Sequence, residues 1–144
     1  MAPRSKRSTV KRRPPDPIAK IGWIQTDCHD PERLAAFWGA VLGVEVEDRF
    51  GSPPQYVNLA PATPEGPRVC FQRVPEAKET KNRVHLDVAV QDVDAAAARI
   101  TELGGMRLPH DDYHEDGYSW RIMADPEGNE FCLIYGQYQP GPTW

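Results

Sequence analysis

Alternation of apolar and polar positions is cleanest over Lys81–Val90, KNRVHLDVAV. Val84, Leu86, Val88 and Val90 fall on one side; His85, Asp87 and Ala89 fall on the other. A period of two predicts a strand with one apolar face and one face carrying ionisable groups. A similar strand is predicted over Ile18–Thr26, with Ile24 and Thr26 on one side and Trp23, Gln25 and Asp27 on the other. The period then changes. Leu34, Phe37, Trp38, Val41 and Leu42 recur at helical spacing. Asp30 is placed to cap that helix, Pro31 to open it and Gly43 to end it. Three short extended segments follow: Val44–Asp48, Gln55–Ala60 and Arg68–Val74, separated by Pro- and Gly-rich turns.

After a charged connector at 75–82 the same order returns. The strand Val84–Val90 is followed by a helix starting at Asp92, with Val93, Ala96, Ala97, Ile100 and Leu103 as its apolar stripe and Gly104-Gly105 at its end. Met106–Pro109 reads as extended, His110–Gly117 as an acidic loop, and Ser119–Ala124 and Glu130–Tyr135 as strands joined by the tight turn Asp125-Pro126-Glu127-Gly128. Strand, helix and three strands thus occur twice, about sixty residues apart. The expected fold is α+β: two βαβββ modules, 18–75 and 83–136, forming a curled mixed sheet, a half-barrel with the helices outside.

Composition changes this picture little. The 144 residues are 40% hydrophobic and 26% charged, as in ordinary globular domains. Charge is distributed unevenly. Of 17 basic residues, six (Arg4, Lys6, Arg7, Lys11, Arg12, Arg13) precede residue 14, leaving 11 basic against 21 acidic residues in the rest. Residues 1–17 are read as a disordered, solubilising basic tail rather than a nucleic-acid arm, because no aromatic residues interleave with residues 4–13. Residues 137–144 form a second tail. No apolar run is long enough to span a bilayer. Three scattered cysteines, Cys28, Cys70 and Cys132, suggest neither a disulfide framework nor a CxxC site, and a cytoplasmic setting is the simple reading.

If the sheets curl round one cavity, the strand faces turned away from the helices line it. Alternation assigns to that lining Trp23, Gln25, Cys70, Gln72, His85, Asp87, Ser119, Arg121, Met123, Glu130 and Cys132. An aromatic ring among amides, carboxylates, a histidine and an arginine suits a small organic ligand, stacked on Trp23 and oriented by hydrogen bonds. His85 is the candidate acid–base residue, with Asp87 on the same face to orient it. Cys70 and Cys132 read as small buried apolar residues, Trp120 as core, and His110 and His114 as part of a solvated loop.

The DPERLAAFWGAVLG helix, the KNRVHLDV strand and the ADPEGNEFCL ending, in register with the repeat, resemble the vicinal oxygen chelate superfamily. The resemblance spans residues 18–136 and points to its glyoxalase-like branch, with relatives among glyoxalase, bleomycin-resistance and extradiol dioxygenase proteins. It implies a ligand cavity and often a homodimer. In the family's metal enzymes four positions supply ligands, and these align with Trp23, Gln72, His85 and Cys132. Only His85 is the family's usual residue, and the indole N–H of Trp23 is a donor that cannot ligate a metal. His85, Gln72 and Cys132 are the remaining metal candidates. The resemblance therefore implies a small-molecule binding protein without the usual divalent metal site. The alternative is a lyase, isomerase or dioxygenase-type enzyme in which His85 is the acid–base residue or an atypical metal ligand.

Overall fold

The computed structural model describes residues 17–136. The basic segment 4–13 and the tail 137–144, with the roles expected of them, lie outside the described residues. Strand β1 (Trp23–Cys28) leads into α1 (Pro31–Leu42), then β2 (Val46–Phe50), β3 (Tyr56–Leu59) and β4 (Arg68–Arg73). Beyond the connector come β5 (Asp87–Ala89), α2 (Val93–Glu102), β6 (Met106–Arg107), β7 (Tyr113–Glu115), β8 (Tyr118–Ala124) and β9 (Glu130–Gly136). The first sheet has the order β1-β4-β3-β2 and the second β5-β9-β8-β6, with β7 paired to β8. In each, the first strand runs parallel to the last and the other pairs are antiparallel. The duplication read from the sequence is therefore present in the order of both sheets, with β7 as an addition in the second. The fold is α+β, with two mixed sheets that do not close.

Local chemistry explains the helix boundaries. The Asp30 carboxylate accepts the Arg33 backbone N–H at 3.1 Å, Pro31 opens α1, and Gly43 ends it with φ of 67°, a left-handed conformation that costs glycine little. Asp92 caps α2 by accepting from the N–H groups of Asp94 and Ala95. From α1, Leu34, Phe37 and Trp38 join Val57, Leu59 and Phe71 of the first sheet and Met123, Phe131 and Leu133 of the second. Phe37, Trp38 and Phe131 meet edge to face, with centroids 4.8–6.2 Å apart. One core therefore serves both modules.

The turn at Asp125-Pro126-Glu127-Gly128 fastens them together. Asp125 is fully buried and accepts from the Trp38 indole at 3.3 Å and from the N–H groups of Glu127 and Asn129 at 2.9 and 3.0 Å. The Glu127 carboxylate accepts from the N–H groups of His29 and Asp30, at 2.7–3.0 Å. These donors sit at the start of α1, where N–H groups have no helical partner and an anion is favoured.

Four expectations need correction. The first strand starts at Trp23, and Ile18 and Ile21 are exposed ahead of it. The strand expected from Val84 narrows to β5, and Val84 is exposed rather than part of the apolar face. The loop expected at His110–Gly117 contains β7, whose Tyr113 stacks on Trp120 at 5.3 Å. The faces of β8 are reversed. Arg121 and Met123 pair with Leu133 and Phe131 on the helix side, whereas Trp120 and Ile122 pair with Ile134 and Cys132 on the other. Strand β8 has large residues on both sides, so alternation alone does not orient it. A buried arginine is tolerated because Asp112 and Asp94 neutralise it, at 2.8 and 2.9 Å. Among the described residues no helix is long and apolar enough to cross a membrane.

Candidate functional site

The open faces of the two sheets carry different chemistry at matching positions. Trp23 lies seven residues before the cap Asp30, and His85 seven before the cap Asp92; Gln25 and Asp87 follow two residues later. Across the parallel ladders Gln25 faces Cys70, and Asp87 faces Cys132. The first module thus presents Trp23, Gln25 and Cys70 where the second presents His85, Asp87 and Cys132. Cys70, rather than Gln72, is the counterpart of Cys132. Gln72 stands one pair further along, opposite Asp27 and Tyr56, and matches Ile134.

In the first sheet, β1 offers Trp23, Gln25 and Asp27 away from α1, and β4 offers Arg68, Cys70 and Gln72. Register adds Tyr56 and Asn58 of β3 and Phe50 and Asp48 of β2 to the same face. Three aromatic side chains stand out in solvent: Trp23 at 61%, Phe50 at 55% and Tyr56 at 37% exposure. Asn58 donates to Asp48 at 2.6 Å. The side-chain amides of Gln25 and Gln72 make no hydrogen bond among the described residues. Sequence reasoning missed Phe50, Tyr56 and Asn58. Their place on this face comes from cross-strand register, which alternation within single strands does not carry.

Two residues ahead of β5, His85 has its Nε2 3.3 Å from Asp87 Oδ1, and both side chains are about half exposed. The donor atoms of His85, Asp87 and Cys132 all lie within 4.8 Å of one another. A backbone hydrogen bond from Cys132 N–H to the Leu86 carbonyl, 2.9 Å, fixes the register that assembles them. Burial, with the Asp87 charge beside it, pushes the Cys132 thiol up to about 11. Burial raises Cys70 to about 11 as well. Both cysteines, and Cys28, are free and buried.

Two expected ligand contacts are committed elsewhere. Arg121 lies on the helix side, held by Asp112, Asp94 and the Val93 carbonyl, and Asp112 also accepts from Tyr135 at 2.7 Å. Glu130 holds the connector: it takes Lys78 at 3.1 Å and the Asn82 N–H at 3.2 Å. Burial pulls Glu130 upward, but these donors and its own N–H outweigh that and leave it below the ordinary carboxylate value. Asp87 pairs with His85, not with Arg83, Arg99 or Arg121. A cleft of about 700 Å³ runs between β1 and the connector, lined among others by Gln25, Asp27, Lys78, Lys81, Asn82 and Glu127. It touches the open face of β1 at Gln25 but does not include Trp23 or His85.

Of the four positions to which the resemblance assigns metal ligands, His85 and Cys132 bring their donor atoms within 4.8 Å of each other and of Asp87, while the first module contributes differently. Trp23 offers no lone pair, and register puts a buried cysteine, Cys70, where the second module has Cys132.

The fold has many solved relatives. The protein ATC0852 from Agrobacterium tumefaciens superposes with a TM-score of 0.66 at 18% identity, covering 84% of this chain and 100% of its own. A glyoxalase-related enzyme from Fulvimarina pelagi gives 0.65 at 18% identity, covering 86% and 93%. A member of the glyoxalase/bleomycin resistance protein/dioxygenase superfamily from Sphaerobacter thermophilus gives 0.60 at 19% identity, covering 82% and 98%. At such identities the likeness is one of fold. No curated protein matches the chain. The family model for the glyoxalase-like domain matches residues 23–134, from the first residue of β1 into β9. With both duplicated modules inside that span, the chain belongs to the glyoxalase-like domain family of the vicinal oxygen chelate superfamily.

Proposed function

We propose that this protein binds a small, flat organic molecule carrying polar groups on the open face of its first sheet, without the superfamily's usual metal site. The observation that carries the reading is the exposure of Trp23, Tyr56 and Phe50 on one sheet face, beside the uncommitted amides of Gln25 and Gln72. Exposed aromatics grouped on a face are more informative than scattered ones, because they offer stacking area that water solvates poorly. The two amides each supply donors and an acceptor, which suits carbonyl, hydroxyl or amide groups on a ring. A second copy of the chain covering this face would complete the enclosure that a single open sheet lacks, so a homodimer is part of the proposal. Three free buried thiols support a reducing cytoplasmic setting.

The test is a thermal-shift and fluorescence screen of aromatic carboxylates, phenols and amides against the full chain. A ligand at a hundred times its Kd adds about 2.7 kcal/mol of apparent stability. Trp23→Ala, at an exposed position, is expected to keep the fold and lose affinity by about tenfold or more. Equal affinity in Trp23→Ala and in Gln25→Ala/Gln72→Ala would overturn the reading. Light scattering reports the dimer, which is expected at twice the chain mass.

The 3.3 Å approach of His85 to Asp87 supports a second reading, an enzyme of lyase, isomerase or dioxygenase type with His85 as acid–base residue. Turnover that survives His85→Ala unchanged would dismiss it.

A further inference from the structure

We propose that the cleft at the end of β4, built round Arg73, binds an oxyanion group, a carboxylate or a phosphate, of a small molecule. The inference stands apart from the ligand reading, which concerns the open face of the same sheet.

Alternation along β4 sets the arginine in place. Arg73 follows the buried Phe71 by two residues and shares its face, the side that α1 covers. It is the last residue of the strand, opposite Cys28 at the end of β1. Its guanidinium therefore reaches the rim of the core, where the chain turns from β1 into α1. Two backbone carbonyls fix it there: Nε donates to Pro54 at 3.2 Å and Nη1 to His29 at 2.5 Å. The surrounding segments are tied to one another as well. The Arg73 N–H donates to the Gln55 carbonyl at 2.8 Å, the Gln55 side-chain amide to the Arg73 carbonyl at 2.5 Å, and the Val74 N–H to the Cys28 carbonyl at 2.9 Å. The result is a cleft of about 510 Å³ lined by His29, Gln55, Arg73, Val74 and Pro75.

The charge on Arg73 lacks a counterion. The side chain is half-buried, yet both of its acceptors are neutral, and among the described residues no carboxylate forms an ion pair with it. The carboxylate that also binds His29, that of Glu127, is spent on the N–H groups of His29 and Asp30. A guanidinium has five N–H donors, and the two carbonyls leave the others open. A planar fork, already oriented and with donors to spare, is suited to grip a carboxylate or phosphate through two parallel hydrogen bonds.

The second module shows what fills the matching place. The counterpart of Arg73 is Tyr135, one residue beyond the matched pair Gln72 and Ile134. Tyr135 donates to Asp112 at 2.7 Å, and Asp112 also pairs with Arg107 and Arg121. The counterpart of Asp112 is Arg49, since each stands one residue before the matching aromatic pairs, Phe50–Tyr56 and Tyr113–Trp120. Arg49 is taken by Glu32. The second module thus supplies its own carboxylate at this place, and the first supplies another cation. An oxyanion from outside completes in the first module what Asp112 completes in the second.

The experiment is titration of the isotope-labelled full chain with inorganic phosphate and, separately, with acetate, each against chloride at equal ionic strength, followed by NMR. The expected result is saturable shifts of the Arg73 Nε–H and of the Gln55, Arg73 and Val74 backbone N–H groups that chloride does not reproduce. The anion that saturates at the lower concentration identifies the oxyanion class. Arg73→Gln should weaken binding by about tenfold or more, the usual loss with a charge-assisted hydrogen bond, whereas Arg33→Gln, at an exposed position of α1, should leave it unchanged. Gln55→Glu, also exposed, puts a carboxylate of the protein's own into the cleft and should abolish binding; it decides if Arg73→Gln does not fold. Shifts that chloride matches, that never saturate, or that keep their affinity in Arg73→Gln or Gln55→Glu overturn the proposal. Stacking on Trp23 is read separately by fluorescence, so failure here leaves the organic-ligand reading of the open face intact.

Discussion

The two modules share a topology and differ in where they place charge. Val57 of the first and Arg121 of the second occupy matching positions, since Val57 pairs with Phe71 opposite Thr26, and Arg121 with Leu133 opposite Val88. Val57 is fully buried among apolar side chains, while Arg121, 7% exposed, anchors Asp94, Asp112 and through Asp112 Tyr135. The turns between the last two strands of each module compare similarly. Thr63-Pro64-Glu65-Gly66 and Asp125-Pro126-Glu127-Gly128 each close with a hydrogen bond from the glycine N–H to the first residue's carbonyl, at 3.0 and 2.9 Å. Only the second turn inserts its carboxylates into the core and against α1. The backbone plan therefore tolerates either an apolar or an ionic filling, provided that every buried charge has partners.

The comparison can be broken at its most expensive point. Arg121→Val gives the second module the first module's residue but removes the main partner of Asp112, which keeps Arg107 at 3.1 Å and the Tyr135 hydroxyl at 2.7 Å. It should cost about 2–3 kcal/mol, below the full penalty for an orphaned buried charge because two partners remain, and adding Asp112→Asn should recover part of it. Urea unfolding at neutral pH measures both, and a loss below about 1 kcal/mol would mean that the network contributes little. Of similar size, Asp125→Ala leaves the buried Trp38 indole and two half-buried N–H groups without an acceptor and should cost about 2–3 kcal/mol. Thr63→Ala, at the exposed matching turn, should stay within about 0.5 kcal/mol.

Acid sharpens the same contrast. The Arg121 guanidinium lowers Asp112 from 3.8 to about 2, so the unfolded chain takes up this proton first as pH falls. The stabilisation is complete above about pH 4 and is lost as pH falls through about 2, amounting to about 1–2 kcal/mol. Asp112→Asn should flatten that part of the stability–pH profile, and a slope equal to that of the unaltered chain would show that the carboxylate is not the source. The smallest effect is expected at the clamp. Glu127→Gln should cost about 1 kcal/mol by weakening the cap on α1, read as a lowered Tm.

Much of this was legible in the sequence. The helix caps Asp30 and Asp92, the glycine at position 43 and the repeated order of elements prescribe the two modules. The open face of β1 was legible too, because Trp23, Gln25 and Asp27 alternate with smaller apolar positions. Strand β8 was not. Trp120, Arg121, Ile122 and Met123 have comparable bulk on both faces, and only the partners of Arg121, which come from α2 and the segment before β7, decide which side is covered. The pairing of Cys132 with Asp87 was hidden for a related reason. It depends on the register of two strands more than forty residues apart, and periodicity within either strand carries no information about that.

The grip of Glu127 on His29 and Asp30 has a consequence for dissecting the molecule. Each half owns a helix, but the first helix borrows its end-piece from the last turn of the second half. Isolated halves should therefore be poor autonomous folders, while a chain nicked within the connector should stay assembled and elute as one particle. A circular permutant opened at residues 76–81 should fold as well, because the clasp depends on proximity in space and not on the order in which the halves are translated.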